Sequence, residues 1–212
     1  MLAQVIAKNA LALGAFAIIT TGAISATYLG TKDRIELEQR AAQARALTEI
    51  IHDDQHDNSM LDDTILIDDQ ELLGLDHPKQ AFIARQQGQF VATIIPATAH
   101  DGYSGDIQLI TGVYADGTIA GVRVLVHNET PGLGDKADRK KSDWVDGFVG
   151  RSLSNPSIER WSVKKDKGEF DQFTGATITP RAITHAVARS LQYFEAHREQ
   201  FTADSATVKE QP

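Results

Sequence analysis

The strongest constraint on this chain is an uncharged apolar segment close to its N-terminus. No Asp, Glu, Lys or Arg occurs between positions 9 and 31, and residues 10–29 are mostly Ala, Leu, Ile, Phe and Gly. A helix rises about 1.5 Å per residue, so about 20 apolar residues cross a hydrocarbon layer of roughly 30 Å. The segment therefore predicts one transmembrane helix over residues 9–31.

Two other interpretations of this segment stay open. A secretory signal peptide has an apolar core of about 7–15 residues, which is shorter than this one, although the small residues at positions 23–25 resemble a weak cleavage site. A buried helix of a soluble protein is the second alternative. The flanking charges, with Lys8 on one side and Lys32 and Arg34 on the other, do not decide the orientation of the segment.

Net charge and cysteine content exclude several classes of function. The formal net charge is -8, whereas nucleic-acid binding requires Lys and Arg clustered on one face. We therefore expect no nucleic-acid partner. The chain has no cysteine, which excludes disulfides, thiolate nucleophiles and cysteine-held iron–sulfur clusters. Redox chemistry in this chain would need an organic cofactor or a metal held by nitrogen and oxygen ligands.

Residues 32–88 are predicted to connect the membrane helix to a domain as a helical stalk and an acidic connector. Over the first part of this segment, apolar residues such as Leu37, Ala41 and Ala44 recur at helical spacing. This pattern predicts a stalk that continues the membrane helix and packs on its own domain. Contact between this helix and a partner protein is the alternative.

The acidic part of this segment, residues 52–70, is rich in turn-forming residues. We expect a solvated connector there. His52 and His56 are four residues apart and could lie on one helical face, but no further ligand set follows at a recognised spacing. The sequence therefore predicts no metal site at these histidines.

The remaining sequence predicts an α+β domain over residues 89–201, in which an antiparallel sheet is flanked by helices. Segments rich in Val, Ile and Thr indicate strands, and Asp116-Gly117 between two of them is a hairpin signal. Thr179 can cap a helix, and Pro180 suits its first position. The predicted elements are strands at 89–95, 106–113, 118–127 and 160–165, a short helix at 140–149, a long helix at 180–201 and a flexible tail at 202–212.

A turn rich in hydroxyl groups stands immediately before the long helix. The run Thr174-Gly175-Ala176-Thr177 places two small residues and two hydroxyls there. Unpaired N–H groups and the positive end of the helix dipole stabilise an anionic phosphate at a helix N-terminus, and glycine lets the backbone approach a ligand closely. From the residues alone, a phosphate site and a simple helix cap both stay open.

A second unusual loop lies at the end of the predicted hairpin, over residues 127–136. It combines the chain-bending residues Pro131, Gly132 and Gly134 with the polar residues His127, Glu129, Thr130 and Lys136 around Leu133. Loops of this composition often bind a ligand. A purely structural turn is the alternative.

These two segments, together with two shorter ones, resemble a known family. In order along the chain the matching segments are 101–105 (DGYSG), 127–136, 142–144 (SDW) and 171–177 (DQFTGAT). Over nearly its whole length, including the single N-terminal span, the chain resembles RnfG, the FMN-binding component of the Rnf (Rsx) electron transport complex. A weaker similarity extends to the FMN-carrying component of the sodium-pumping NADH:quinone reductase, which shares the Ser/Thr-Gly-Ala-Thr motif and a related loop.

This resemblance implies a covalently bound cofactor. In the family, a separate flavin transferase joins the phosphate of FMN to the hydroxyl of the last threonine of the motif, here Thr177. Thr174 stands where many members have serine, which keeps the hydroxyl. By the same resemblance, the flavin would be lined by Glu129, Thr130, Leu133 and Gly134, and its phosphate would adjoin Gly175 and Ala176.

The resemblance also implies a function and a location. The chain would be a membrane-anchored electron carrier between redox subunits, in a complex that couples electron transfer between ferredoxin and NAD to ion movement. It would not be catalytic alone. Family members face the extracytoplasmic side, so the domain would lie in the periplasm at the bacterial inner membrane, with residues 1–8 in the cytoplasm.

Three alternative functions stay open beside this one. The first is the FMN-carrying component of a sodium-pumping quinone reductase. The second is a membrane-anchored assembly module without redox function, in which Thr177 is only a helix cap. The third is a stand-alone flavin enzyme acting on a small substrate.

Overall fold

The structure, a computed structural model, describes residues 2–203. Its first element is one long helix, α1, over Leu2–Thr48, and the chain divides into two compact units between Arg45 and Ala46. Within the first unit, the segment Ile6–Lys32 is long and apolar enough to cross a membrane, and no other helix among the described residues is. This segment contains the predicted span.

The described apolar side chains of this segment are exposed, as a membrane-spanning helix requires. Leu11, Ile18 and Ile24 are each more than two-thirds exposed, and each would gain about 1.5–3 kcal/mol by leaving water. Polar side chains are satisfied within the helix, because the hydroxyls of Thr20 and Thr27 donate to backbone carbonyls one turn earlier, at 2.8 and 2.9 Å. A hydrocarbon environment therefore stabilises this helix.

The second unit is built on a five-stranded antiparallel sheet whose strands pair in sequence order. The strands are β1 (Thr64–Ile67), β2 (Lys79–Gln86), β3 (Gln89–Ala99), β4 (Ile107–Tyr114) and β5 (Ile119–Val126). The predicted α+β architecture is confirmed, and β3, β4 and β5 are the strands predicted at 89–95, 106–113 and 118–127. The hairpin at Asp116-Gly117 is also confirmed, since Gly117 has φ +86° and its N–H donates to the carbonyl of Tyr114 at 2.9 Å.

Both faces of the sheet are covered, which explains why its central strands are almost continuously apolar. Successive side chains of a strand point to opposite faces. Ile95 therefore packs in the cluster that includes α2, whereas the adjacent Ile94 packs with Leu47, in the last turn of α1, and with Ile50, just after it. The core of this unit thus has two apolar layers, one on each side of the sheet.

The second helix, α2, extends over Ile178–Ala196 and packs against β3 and β4. Its predicted apolar stripe is confirmed, because Ile183, Val187 and Phe194 are fully buried. The predicted boundaries at 180–201 were wrong at both ends. The helix begins at Ile178, and it is interrupted at His197, which has φ -120° and ψ 20°, before a short helix α3 over Arg198–Thr202.

The acidic segment that was predicted to be a solvated connector is part of the folded unit. It supplies β1, in which Ile65 and Ile67 are buried, and β2 follows it before position 89. The carboxylate of Asp63 lies 3.0 Å from the buried guanidinium of Arg85. The prediction was wrong because an edge strand of four residues is too short to give an alternation signal among flanking aspartates.

Two predicted elements between β5 and α2 take a different form. The helix predicted at 140–149 is a 3-10 helix over Trp144–Phe148. The strand predicted at 160–165 is replaced by two 3-10 turns, Ile158–Arg160 and Lys164–Asp166. Aromatic packing determines this region, since the ring of Phe148 stacks on Trp161 and Phe170 at 6.2 and 4.7 Å between centroids. From position 204 onward, the predicted tail lies outside the described residues.

Candidate functional site

The two loops singled out in the sequence meet at one cleft. The cleft has a volume of about 270 Å³ and is lined by Tyr103, Glu129, Thr130, Leu133, Gly134, Gly175, Ala176, Thr177, Ile178 and Thr179. Seven of the eight residues that we predicted to contact the flavin therefore lie around one cavity. The eighth, Thr174, is exposed in the preceding turn and does not line the cleft.

A tight turn delivers the chain to the start of α2. The N–H of Ala176 donates to the carbonyl of Phe173 at 3.1 Å, and Gly175 adopts φ +84° within this turn. Such a positive φ is accessible to glycine but strained for residues with a Cβ. The turn therefore explains the glycine of the motif and brings Thr177 to the N-terminus of the helix.

The side chain of Thr177 is not used as a helix cap. Thr177 occupies the N-cap position, but its hydroxyl makes no capping hydrogen bond to the helix backbone. Its carbonyl does belong to the helix, because it accepts the N–H of Arg181 at 3.2 Å. The hydroxyl is thus positioned at the helix end by the backbone and is not occupied by a capping contact.

The prediction that Thr179 caps the helix was wrong. Thr179 lies inside the first turn and is fully buried. Its hydroxyl donates a short hydrogen bond to Oε2 of Glu129, and Oε1 of Glu129 accepts the N–H of Ser104 at 2.9 Å. Three segments that are distant in sequence are therefore joined at the floor of the cleft through one carboxylate, which is only 5% exposed.

The loop over residues 129–134 folds around a single carbonyl. The carbonyl oxygen of Thr130 accepts the N–H groups of Leu133 and Gly134, each at 3.1 Å, and Asp135 follows at 3.4 Å. A Cβ on Gly134 would lie 2.8 Å from both Glu129 Oε2 and the Thr179 hydroxyl. Gly134 is therefore required for the loop to lie directly on the Glu129–Thr179 hydrogen bond.

The two loops also contact each other across the cleft. A Cβ added to Gly175 would lie 3.3 Å from Cδ2 of Leu133. The side chain of Leu133 is 41% exposed. It thus forms an apolar wall next to Gly175, and this wall has free surface available for a ligand.

The groups of the cleft that can attract an anion are backbone N–H groups and not cationic side chains. None of the cleft-lining residues is Lys or Arg. The nearby Arg181 donates to both carboxylate oxygens of Asp166, at 2.6 and 3.0 Å. This contact lowers the pKa of Asp166 and raises that of Arg181. The N–H groups in the first turn of α2 remain the groups that attract an anion.

Sequence reasoning missed three residues of the cleft. Thr179 was assigned only as a helix cap, Ile178 was given no role in the segment before the helix, and Tyr103 entered only as part of a matching segment. Tyr103 belongs to the loop over residues 100–106, whose two glycines are the signal that could have indicated a tight functional loop. Gly105 has φ +106°, and a Cβ on Gly102 would overlap the carbonyl of Gly105.

Family comparisons cover both units of the chain. A model described as FMN-binding domain matches residues 102–192, a range that includes all the cleft-lining residues. A model described as RnfG N-terminal region matches residues 1–50. The cleft therefore lies within the part of the chain that resembles FMN-binding domains.

Similar proteins match the chain over nearly its whole length, and all three mentioned here are named as the G component of an ion-translocating oxidoreductase complex. The protein from Pseudoalteromonas atlantica is 46% identical over 98% of this chain and 97% of its own. Those from Pseudomonas aeruginosa and Shewanella loihica are each 50% identical over 92% of both chains. With its apolar N-terminal helix and FMN-binding domain, this chain belongs to the RnfG family of ion-translocating oxidoreductase complex subunits.

Proposed function

We propose that this chain carries FMN joined covalently to Thr177 and passes electrons between neighbouring redox subunits of an ion-translocating membrane complex. The observation that carries the proposal is the side chain of Thr177. It lines the cleft at the N-terminus of α2 without a capping hydrogen bond, whereas a threonine that serves only as a cap accepts an N–H of the first turn. Its hydroxyl is therefore available for a phosphoester.

The residues around Thr177 fit the phosphate of a flavin nucleotide. The N–H groups of Ile178 and Thr179 lie in the first turn, where they have no partner within the helix. Together with the helix dipole they would stabilise the negative charge of a phosphate. Gly175, next to them, offers backbone without a side chain, so the phosphate can approach closely.

The opposite wall fits the ring of a flavin. Leu133 provides an apolar surface and Tyr103 an aromatic one, and both are partly free of protein contacts. Glu129 directs its carboxylate into the domain, where Ser104 and Thr179 donate to its two oxygens. Two hydrogen bonds therefore already stabilise the carboxylate of Glu129, the acidic residue among those that line the cleft.

The size of the cleft supports covalent attachment. Its volume of about 270 Å³ is just below the roughly 300–1,000 Å³ of sites that enclose drug-sized ligands. A molecule as large as FMN would remain partly exposed in such a cleft, so non-covalent contacts alone would bury only part of its surface. A bond to Thr177 would retain the cofactor in spite of this exposure.

FMN, when bound, supplies transfer of electrons one or two at a time. Electron transfer itself would then require no acid–base chemistry from the side chains of this chain. Thr177 would hold the cofactor through its hydroxyl oxygen, the start of α2 would stabilise its phosphate, and Leu133 and Tyr103 would contact its ring. Because Tyr103 is 67% exposed, a redox group of a neighbouring protein can approach this side of the cleft.

The relatives' name supports membership of an ion-translocating oxidoreductase complex, and the family resemblance implies the rest of the setting. We infer that the chain works with other membrane and redox subunits, that the complex couples electron transfer between ferredoxin and NAD to ion movement, and that a flavin transferase attaches the FMN. The flavin-carrying unit, which was predicted at residues 89–201 and which also includes β1 and β2, would face the periplasm of the bacterial inner membrane. Residues 1–8 would then lie in the cytoplasm.

A denaturing gel tests the attachment. The full chain is produced with a flavin transferase, and in-gel flavin fluorescence is recorded for wild type and three variants. Thr177→Ala should lose the fluorescence, and Thr177→Ser should keep it because it retains the hydroxyl. Thr174→Ala is the matched control: it removes the neighbouring hydroxyl, which lies outside the cleft, and should remain labelled.

Each rival function predicts a different result. An unlabelled wild-type band would contradict the carrier proposal and favour the assembly module. Flavin fluorescence that is retained in Thr177→Ala but lost in Thr174→Ala would place the attachment at Thr174 instead. Purification of the labelled chain with the other proteins of a quinone reductase would favour that complex, and substrate turnover by the isolated chain would favour a stand-alone enzyme.

A further inference from the structure

The loop over residues 100–106, which joins β3 to β4 and carries Tyr103, is held by a histidine that contacts two acceptors. Nδ1 of His100 lies 2.9 Å from Oδ1 of Asp106, and its Nε2 lies 3.0 Å from the carbonyl oxygen of Gly74. A carboxylate and a carbonyl can only accept hydrogen bonds. Both ring nitrogens must therefore donate, and a histidine that donates from both nitrogens is the protonated imidazolium.

A neutral imidazole cannot keep both contacts. It has one N–H and one lone pair, so one of the two acceptors would face a lone pair instead of a donor. Deprotonation therefore removes one of two contacts: the one to Asp106, which joins the two ends, or neck, of the loop, or the one to Gly74. The two-acceptor geometry is specific to the charged form.

Gly74 provides a fixed point for this contact. It adopts φ +63°, and a Cβ at this position would overlap the carbonyl oxygen of Thr98 on β3. The N–H of Thr98 donates to the carbonyl of the neighbouring Leu73 at 2.8 Å, and Leu73 is fully buried. His100 thus ties a glycine-containing loop to a segment that is anchored in the core.

The same loop reaches the floor of the cleft. Tyr103 lines the cleft, and the N–H of Ser104 donates to Glu129, which also accepts the hydroxyl of Thr179 on α2. The loop is therefore held at its neck by His100 and near its tip by Ser104. Gly102 and Gly105 between these points give the backbone conformational freedom that other residues lack.

We propose that His100 is a positioning residue for the cleft: its imidazolium clamps the loop over residues 100–106 and so holds the wall formed by Tyr103, and loss of its proton loosens that wall. The clamp itself does not depend on the cofactor. Only its consequence for the flavin rests on the proposed function.

The charges around His100 agree with this assignment. The groups that face it are Asp106, at the start of β4, and Asp76, in the segment that contains Gly74, and both are acidic. The hydrogen bond to Asp106 is the main reason that the pKa of His100 is raised above its ordinary value of 6.5, against an opposing contribution from burial. A raised pKa means that the clamp is complete at low pH and is lost as the pH rises through the folded-state value.

Hydrogen exchange detected by mass spectrometry tests the clamp in the full chain, solubilised in detergent and produced without flavin transferase. After correction for the intrinsic pH dependence of exchange, the protection of a peptide covering residues 101–105 should fall by about fivefold between pH 6 and pH 9. This is the size expected for one charge-assisted hydrogen bond weakened by solvent exposure. A peptide covering the β4–β5 hairpin, which contains Asp116, should show no such change.

Two variants separate the titration of His100 from a general structural effect. His100→Gln should show the low protection at both pH values. Asp106→Asn keeps an acceptor but removes the charge, so the protection should be lost at a lower pH than in wild type. Constant protection in wild type, or a wild-type profile in His100→Gln, would overturn the proposal. If His100→Gln fails to fold, an unshifted midpoint in Asp106→Asn overturns it equally. Since no cofactor is present, failure here is distinct from failure of the flavin gel.

Discussion

Thr179→Val removes the hydrogen bond at the floor of the cleft while nearly preserving the shape of the side chain. Thr179 is fully buried and Glu129 is 5% exposed, so water cannot easily replace the lost hydroxyl. Hydrogen bonds to charged groups contribute about 1.5–3 kcal/mol. For a unit of this size, each kcal/mol lowers the melting temperature by about 2–4 °C. We therefore expect a decrease of about 3–12 °C.

The matched control is the same substitution at Thr111. This residue is also fully buried, but its hydroxyl has no hydrogen-bond partner among the described residues. A buried polar group without a partner destabilises the folded state by about 1–3 kcal/mol, and Thr111→Val removes such a group. We expect Thr111→Val to be neutral or more stable than wild type, in contrast to Thr179→Val.

Tryptophan fluorescence during thermal and urea unfolding measures both variants. The chain has only two tryptophans, Trp144 and Trp161, and both belong to the second unit. The signal therefore reports on this unit and not on the membrane helix. Equal destabilisation by the two variants would refute the reasoning, because it would show that the loss comes from repacking a β-branched side chain and not from the hydrogen bond to Glu129.

Three further predictions concern single positions. Gly175→Ala should lower stability more than Gly88→Ala, since both have positive φ but only Gly175 has Leu133 within 3.3 Å of the added Cβ; equal melting temperatures would contradict this. Asp166→Asn should be less stable than wild type near neutral pH, and the difference should vanish as the pH falls through the lowered pKa of Asp166; a pH-independent difference in urea unfolding would contradict the ion pair. Gln70→Cys introduces the single cysteine of a chain that otherwise has none. If the second unit faces the periplasm, this cysteine should react with an impermeant maleimide on intact spheroplasts. Labelling only after lysis would place the unit in the cytoplasm instead.

The membrane helix, α2 and three of the strands could be predicted because their signals are local. An uncharged run, a stripe at helical spacing and Val-rich and Ile-rich segments depend only on residues near one another in sequence. β1 could not be predicted in this way. Its buried residues Ile65 and Ile67 stand among aspartates, one of which, Asp63, pairs with the distant Arg85. Pairing of this kind becomes visible only in the folded unit.

The site was predictable to a similar extent. Thr177 and the loop around Leu133, which line the cleft, were singled out from composition, helix physics and family resemblance. The contact between Thr179 and Glu129 was not found, because it joins residues that are 50 positions apart, and nothing local indicates which hydroxyl turns inward. The assignment of Thr179 as a cap was the reasonable local interpretation, and tertiary packing overrode it.

The walls of the cleft come from three segments, at residues 100–106, 129–134 and 175–179, and the last of these leads into the final long helix of the described chain. During synthesis, the first two segments leave the ribosome before α2 exists. A nascent or truncated chain that ends before α2 therefore has no pocket, and a phosphate-bearing ligand cannot serve as a template for early folding of the sheet. The cleft can therefore be complete only after the chain has been synthesised through the start of α2.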